Sequence, residues 1–559
     1  MESIYLLNLL LVLLRYCVAS SGPNGGNDAS RKSNSTRRIP SLPFDRFLQT
    51  NPRGRNIKAA VASCNQVVDT LNLTMLSELL GNAIDSAVAP GSAENSFLRT
   101  SFLAKLSHGV EIRRICAGCS NVTLDSPVFQ DYCGPHVYGS AAQFSGLLMV
   151  PLTESNEKLP GTLKGVIDMH VSTLTQIPSI SWGADNPNNI TLLFDAAIAS
   201  TGVIVIAPDY MGYGESAEIY KAYVVRKSYA TSVVPLWFWT NRMLAEETHC
   251  TTNLGGGALL MGYSEGGYAS VAVADALHQL GVDIFRVESG GGPYRVARSI
   301  LGIVQNIDAG IFLTRRRYIL AMIGSAYSST YSGIANFNRS QNLLAVEKRN
   351  LFVNLLNASA SENGVNQEIP TSDILSIFDA RLVDFARNAI AEGNFEPCSN
   401  TTVLSQFEFL CEALKENDLT KTLENVVYPV DVCQSPDDDL VVYENVPNFT
   451  ANPLLSYIPA SGTHNDAAIQ CLLVALLVAV GEEFHAYAPP NTQSNGGCSS
   501  LYQPTKSPSF HRQEPTHRPT FKNATSQSGL KVSGGPQRKA STIRIFVGGA
   551  IFYAIFVSL

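Results

Sequence analysis

Short apolar runs rich in β-branched residues alternate with helix-length segments through the middle of the chain. The strand-like runs cover residues 143–151, 162–170, 203–208, 258–261, 284–288, 428–433 and 455–459. Runs of this kind, spaced by helices, predict a mainly parallel sheet wrapped by helices. Ahead of them, residues 40–107 carry a helical pattern, clearest over 67–87 (VVDTLNLTMLSELLGNAIDSA). The strand–helix alternation continues to about Tyr294 and then stops. Residues 295–423 repeat apolar positions at helical spacing (RVARSILGIVQNI, LLAVEKRNLFVNLL, ILSIFDARLVDFARNAIAEG). An insertion of that length between two late strands predicts a helical cap. The expected layout is a core over 40–294 with an N-terminal helical extension, the cap over 295–423, and the rest of the core over 424–488.

The two ends follow other patterns. Residues 4–19 (IYLLNLLLVLLRYCVA) form an apolar run closing on small residues, as in a cleaved secretory signal spanning 1–20. Arg15 interrupts that run, and a retained membrane anchor is the alternative reading. Residues 21–39 are small, polar and basic, the composition of a disordered leader. From 489 to 544 proline, serine, threonine and basic residues dominate, a stalk that cannot bury a core. The apolar tail over 545–559 has 15 residues, short of the roughly 20 that span a bilayer as a helix. Ser533-Gly534-Gly535, a polar spacer and this tail follow the order of a GPI-anchor signal. A short transmembrane or interfacial segment is the other reading, and either would attach the chain to a membrane through its C-terminus.

Composition narrows the function classes. The 559 residues are 45% hydrophobic and 16% charged, with a formal net charge of −7. No basic field is available to attract phosphates, which argues against a nucleic-acid partner. Outside the signal stand Cys64, Cys116, Cys119, Cys133, Cys250, Cys398, Cys411, Cys433, Cys471 and Cys498. An even set in an exported chain implies disulfides, with pairing left open. Cys116-x-x-Cys119 has no second CxxC or His pair beside it, so a zinc or redox site is not expected. Sequons at Asn72, Asn121, Asn189, Asn338, Asn357, Asn400, Asn448 and Asn523 fit a glycosylated, extracellular or cell-surface protein.

The candidate chemistry centres on Met261-Gly262-Tyr263-Ser264-Glu265-Gly266-Gly267. A Gly-x-Ser-x-Gly arises by chance in a chain this long with a probability of roughly 0.2, so its context decides. A strand-like GGGALLM precedes it, and YASVAVA, suited to a packed helix, follows. Strand, sharp turn, helix is the geometry of a nucleophile elbow, which presents the serine at the top of a sheet. Ser264 is therefore the expected nucleophile, and the backbone N–H of Glu265 the expected first oxyanion donor.

Upstream, residues 202–216 read GVIVIAPDYMGYGES. A strand ending in APDYxGYGxS, together with the elbow, resembles the α/β-hydrolase superfamily. The resemblance implies an α/β-hydrolase fold with a helical cap insertion, a structural role for Asp209, and a triad in the order Ser, acid, His. The stretch YPVDVCQSPDDDLVV over 428–442 is a strand followed by an acidic turn. It resembles the superfamily pattern of strand, His-Gly, two residues, Asp, two residues, Val, with Gln434-Ser435 replacing His-Gly. Counting from Gln434 places the acid at Asp438, with Asp437 and Asp439 as competitors. The candidate base is His464 in PASGTHNDAA, after a strand and before a helix; His485 follows that helix instead. The second oxyanion donor is expected from the turn after residues 162–170. Relatives carry His-Gly-Thr there and this chain has His170-Val171-Ser172, so the backbone of Ser172 is the nominee and His170 is read as structural.

Within the superfamily the sequence is most similar to fungal secretory lipases and related capped esterases, over residues 140–483. That likeness rests on GYSEGGYAS, on ESGGGP at 288–293, on the long helical insertion and on GTHNDA. It implies hydrolysis of carboxylic esters or lipids through an acyl-serine intermediate, with an acyl chain held under the cap, and no metal or organic cofactor. Two competing readings are a serine peptidase of the same fold and a non-catalytic adhesion or receptor ectodomain. The first would need an amine-anchoring acidic pair, and the second usually loses a triad member.

Overall fold

The computed structural model describes residues 64–87, 91–119, 129, 132–133, 142–171, 190–216, 221–311, 316–331, 343–348, 362–399 and 408–488. The expected signal, leader, stalk and apolar tail lie outside the described residues, as does Ser172.

The apolar runs become one nine-stranded sheet in the order β1-β2-β3-β5-β4-β6-β7-β8-β9. Its strands are β1 (Gln66–Leu71), β2 (Gly109–Gly118), β3 (Gln143–Leu152), β4 (Gly161–Met169), β5 (Ile204–Pro208), β6 (Thr252–Tyr263), β7 (Ile284–Gly290), β8 (Val430–Gln434) and β9 (Leu455–Pro459). The β1–β2, β2–β3 and β3–β5 pairs are antiparallel; every pair from β5–β4 to β8–β9 is parallel. This is the α/β-hydrolase fold.

Successive strand residues point to opposite faces, and both faces are covered. Ile167, Ile206 and Leu260 pack with one core, while Val166, Val205 and Leu259 pack with the other. The second core is closed by helices α1 (Leu73–Ala87), α2 (Ile190–Ser200) and α9 (His464–Ala479), through Leu76, Ile198 and Leu476. The first is closed by α3 (Arg226–Glu247) and α4 (Glu265–Gln279), through Tyr229, Val233, Tyr268 and Leu277. Burial on both sides is why these strands read as near-continuous apolar runs.

Between β7 and β8 the described elements are helices: α5 (Val296–Asp308), α6 (Arg317–Tyr331), α7 (Ala380–Ala391) and α8 (Glu408–Glu416), with shorter turns between them.

Two expectations need correction. The helix expected over 67–87 is divided: Val67 to Leu71 form edge strand β1, and the helix starts at Leu73. Val67 and Thr70 are β-branched and pair with β2, with an irregularity at Val68, and the Asn72 side chain then accepts from the Met75 amide at 2.9 Å and caps α1. Strand β6 is also longer than expected, starting at Thr252 and running through Gly255-Gly256-Gly257. There a Cβ on Gly256 would stand 3.0–3.2 Å from β4 atoms, so glycine permits the close approach of the two strands.

Disulfides join Cys64 to Cys116, Cys119 to Cys133, Cys398 to Cys411, and Cys433 to Cys471. The two cysteines of the CxxC stretch thus have different partners. The sequon residues Asn72 and Asn448 are exposed, as glycan acceptors must be.

Candidate active site

The C-terminal ends of the parallel strands lie on one edge, where open α/β sheets place their ligands. Ser264 follows β6 there. Its backbone sits at φ +58°, ψ −119°, a strained conformation for a residue with a Cβ. The turn holds because its neighbours are small: a Cβ on Gly262 would come within 2.5 Å of the Gly266 backbone. One on Gly266 would meet the Met169 carbonyl at 1.8 Å, and one on Gly267 the Gly290 carbonyl at 2.2 Å. The Ser264 N–H donates to the Gly290 carbonyl at 2.8 Å, tying the elbow to β7.

Ser264 is 8% exposed, and its Oγ lies 2.8 Å from His464 Nε2. On the other side of the ring, Nδ1 is 2.7 Å from Asp438 Oδ2. Serine, imidazole and carboxylate thus form one hydrogen-bonded line from β6 through the start of α9 to the turn after β8. His464 opens α9 behind a capping box made by Thr463 and Asp466. Its carbonyl accepts from Tyr263 Oη at 2.7 Å, and the two rings stand 4.9 Å apart. Burial pushes the Tyr263 phenol well above its usual range, so it stays a neutral donor.

The competing acids separate by position. Asp437 is exposed. Asp439 is buried, but its Oδ1 accepts from the His464 backbone amide at 2.9 Å and holds the helix start, not the ring. Asp438 Oδ1 accepts from the Leu440 and Val441 amides at 2.9 and 2.8 Å, and Oδ2 accepts from Gln434 Nε2 at 3.0 Å. The Gln434 side chain, which departs from the pattern in the sequence, is fully buried beneath the Asp438 carboxylate it donates to. Ser435 beside it donates to the Gly462 carbonyl at 2.6 Å, linking the acid turn to the histidine loop. Sequence reasoning did not assign these roles to Gln434, Ser435 or Asp439; the nearest signal was the departure from His-Gly itself.

Glu265 is the first residue of α4, which sets its backbone N–H at a helix N-terminus next to Ser264. Its side chain turns into the core, where it accepts from Tyr229 Oη at 2.7 Å. The other residues singled out lie apart from the line. His485 is on a short helix after α9, and Lys164 donates to its carbonyl. Asp209 is buried and accepts from Ser145 Oγ at 2.6 Å. His170, just after β4, stands beside Asp168 and Asp195, and its carbonyl accepts from Tyr210 Oη at 2.6 Å.

Ser264 and Glu265 floor a cleft whose walls include Val224 and, from the helical insertion, Ile300, Ile303, Ile319 and Ile323. Val224 is β-branched yet has φ +55°, an uncommon state for such a residue. Tyr229 Oη accepts from its amide at 2.8 Å, and its carbonyl accepts from Tyr327 Oη of α6 at 3.0 Å. Ile300 and Ile323 also line a second, larger apolar cavity between α5, α6, α7 and α8.

No protein-family model matches the sequence, and no curated protein matches it. Solved structures share the fold. LipA, a rice cell wall degrading esterase from Xanthomonas oryzae, aligns with a TM-score of 0.51 at 17% identity, over 74% of this chain and 95% of the esterase. A Legionella pneumophila structure described as a hydrolase aligns with a TM-score of 0.52 at 16% identity, over 75% of this chain and 97% of that one.

Proposed function

We propose that this chain is a serine ester hydrolase in which Ser264 attacks, His464 relays the proton and Asp438 orients the base. The hydrogen-bonded line from Asp438 through His464 to Ser264, at 2.7 and 2.8 Å, carries the reading. His464 Nε2 takes the Ser264 proton as Oγ adds to the ester carbonyl, and returns it to the departing alcohol. The Glu265 amide faces the developing oxyanion, with the Ser172 backbone nominated as its partner. Water then repeats the sequence on the acyl-serine and frees the acid.

The helical insertion over 295–423 acts as the cap. Its isoleucines wall the cleft at Ser264 and continue into the larger apolar cavity, which suits the acyl part of an ester or lipid. Glu265 is the one carboxylate in the cleft wall among the described residues, and Tyr229 occupies it. That lining favours an ester over a substrate anchored by its amine. The disulfides suit an oxidising, extracytoplasmic compartment.

A fluorophosphonate probe should label the purified protein, and Ser264→Ala should abolish labelling. Esterase turnover should fall with it, by at least ~10⁴-fold in kcat. Absence of labelling in the wild-type protein, or labelling retained in Ser264→Ala, would refute the reading. Faster cleavage of aminoacyl-arylamides than of p-nitrophenyl esters would move it to a peptidase.

A further inference from the structure

Outside the serine site, the most unusual group of side chains stands at the end of β4. Asp168 lies on the strand, His170 just beyond it, and Asp195 on α2. His170 Nε2 is 3.1 Å from Asp168 Oδ2 and 3.6 Å from Asp195 Oδ2, and one ligand atom from each residue lies within 4.8 Å of the others. Despite that closeness Nε2 hydrogen-bonds to neither carboxylate. Asp195 is fully buried; its oxygens accept from no N–H or hydroxyl donor, and its carboxyl lies within hydrogen-bonding range of the Asp168 carboxyl. A buried carboxylate without a donor is costly, and a second carboxylate beside it raises the cost.

These separations have a simple meaning. Donor atoms about 2.1 Å from one ion stand roughly 3.0–3.6 Å apart when the angle between them runs from about 90° to 120°. Both measured separations fall in that span. We propose that Asp168, His170 and Asp195 bind one divalent transition-metal ion, of which Zn²⁺ is the type. Two carboxylates and an imidazole neutralise such an ion, and the imidazole favours it over Ca²⁺ or Mg²⁺. The role is structural. The carbonyl of Met169, between the two β4-end ligands, is packed against Gly266 of the elbow. An ion there fastens the end of β4 to α2 beside the elbow. This inference does not rest on the ester-hydrolase reading.

The test uses metal content and thermal stability, with no need for turnover. The purified protein is stripped with EDTA, dialysed and titrated with Zn²⁺ by calorimetry, with melting followed in parallel. One Zn²⁺ should bind per chain and raise Tm by ~5 °C at saturation. Asp195→Asn and His170→Gln should each weaken that binding by at least ~10-fold while keeping the wild-type circular dichroism spectrum. Asp168→Asn serves as the replacement if either fails to fold. Zn²⁺ binding of equal strength in the folded variants would assign the ion to another place and overturn the proposal. So would a Tm indifferent to EDTA, Zn²⁺ and Mn²⁺, or an Asp195→Asn variant more stable than the wild type and metal-independent. The last result would show that the two aspartates share a proton instead of an ion.

Discussion

At the scale of single residues, the proposed relay depends on groups that hold the acid, not only on the three in line. Asp438 receives two backbone amides on one oxygen, while Gln434 and His464 share the other. With both oxygens held, the carboxylate can accept only from the Nδ1 side of the ring, which leaves Nε2 free to take the serine proton. Asp438→Asn should therefore lower kcat by ~10⁴-fold with little change in KM, because an amide can stabilise the wrong tautomer. Gln434→Leu is a finer probe. It removes one charge-assisted donor and leaves the triad intact, so kcat should fall about tenfold, equivalent to ~1.4 kcal/mol. Steady-state kinetics on a short p-nitrophenyl ester would check both; an unchanged kcat in Gln434→Leu would mean that the two backbone amides suffice.

At the scale of elements, the turn after β8 and the start of α9 form a unit braced by the Cys433–Cys471 disulfide. The bridge closes a segment of sequence separation 38 that contains both Asp438 and His464. The chain-entropy estimate for such a loop is ~4 kcal/mol. Replacing both cysteines with serine should lower urea-unfolding stability by up to about that amount, and kcat should fall as acid and base lose their fixed separation. A second element-scale prediction concerns β7 and β8, which place Glu288 directly opposite Asp431. Burial first, and then the Asp431 charge, push the Glu288 carboxyl well above the usual carboxylate range. A carboxyl whose pKa is higher in the folded than in the unfolded chain contributes stability at low pH. That contribution is lost as pH climbs from the unfolded value through the folded one, at a rate of up to ~1.4 kcal/mol per pH unit. Wild-type Tm should thus decline as pH rises above the ordinary carboxylate range, and Glu288→Gln should flatten that decline in melting curves from pH 5 to 9. The strands flanking this unit were legible in the sequence because short runs of apolar and β-branched residues, such as Val430 and Val432 on β8, stand between helix-length segments. Strand β1 was not, since its six residues run directly into the repeat of α1; the Asn72 cap was the one mark of the boundary.

At the scale of the whole molecule, order along the chain was legible, and contact across it was not. Ser264, Asp438 and His464 stood in the expected sequence order, and the fold brings them into one line. Asp195 sits in an apolar helix with no motif around it, so nothing local signals that it faces His170. Cysteine pairing was hidden for the same reason, since spacing along the chain does not say which cysteines the fold brings together: Cys116 pairs back to Cys64, and Cys433 reaches Cys471 on α9. The insertion is a similar case: its helices were readable from periodicity, but the space between them was not. Ile300 and Ile323 border both the cleft at Ser264 and the larger cavity beyond, so an acyl chain longer than the cleft has to pass between them. A tryptophan at either position fills that passage and leaves the serine untouched. With p-nitrophenyl esters from acetate to palmitate, the wild-type protein should gain in kcat/KM with chain length, each buried methylene contributing up to ~0.8 kcal/mol. Ile300→Trp and Ile323→Trp should keep acetate turnover within about twofold and lose the long-chain esters by roughly 100-fold or more, as a blocked pocket forfeits several methylenes at once. If both variants hydrolyse palmitate like the wild type, the acyl chain leaves the cleft by another route and the cavity between α5, α6, α7 and α8 has no part in substrate choice.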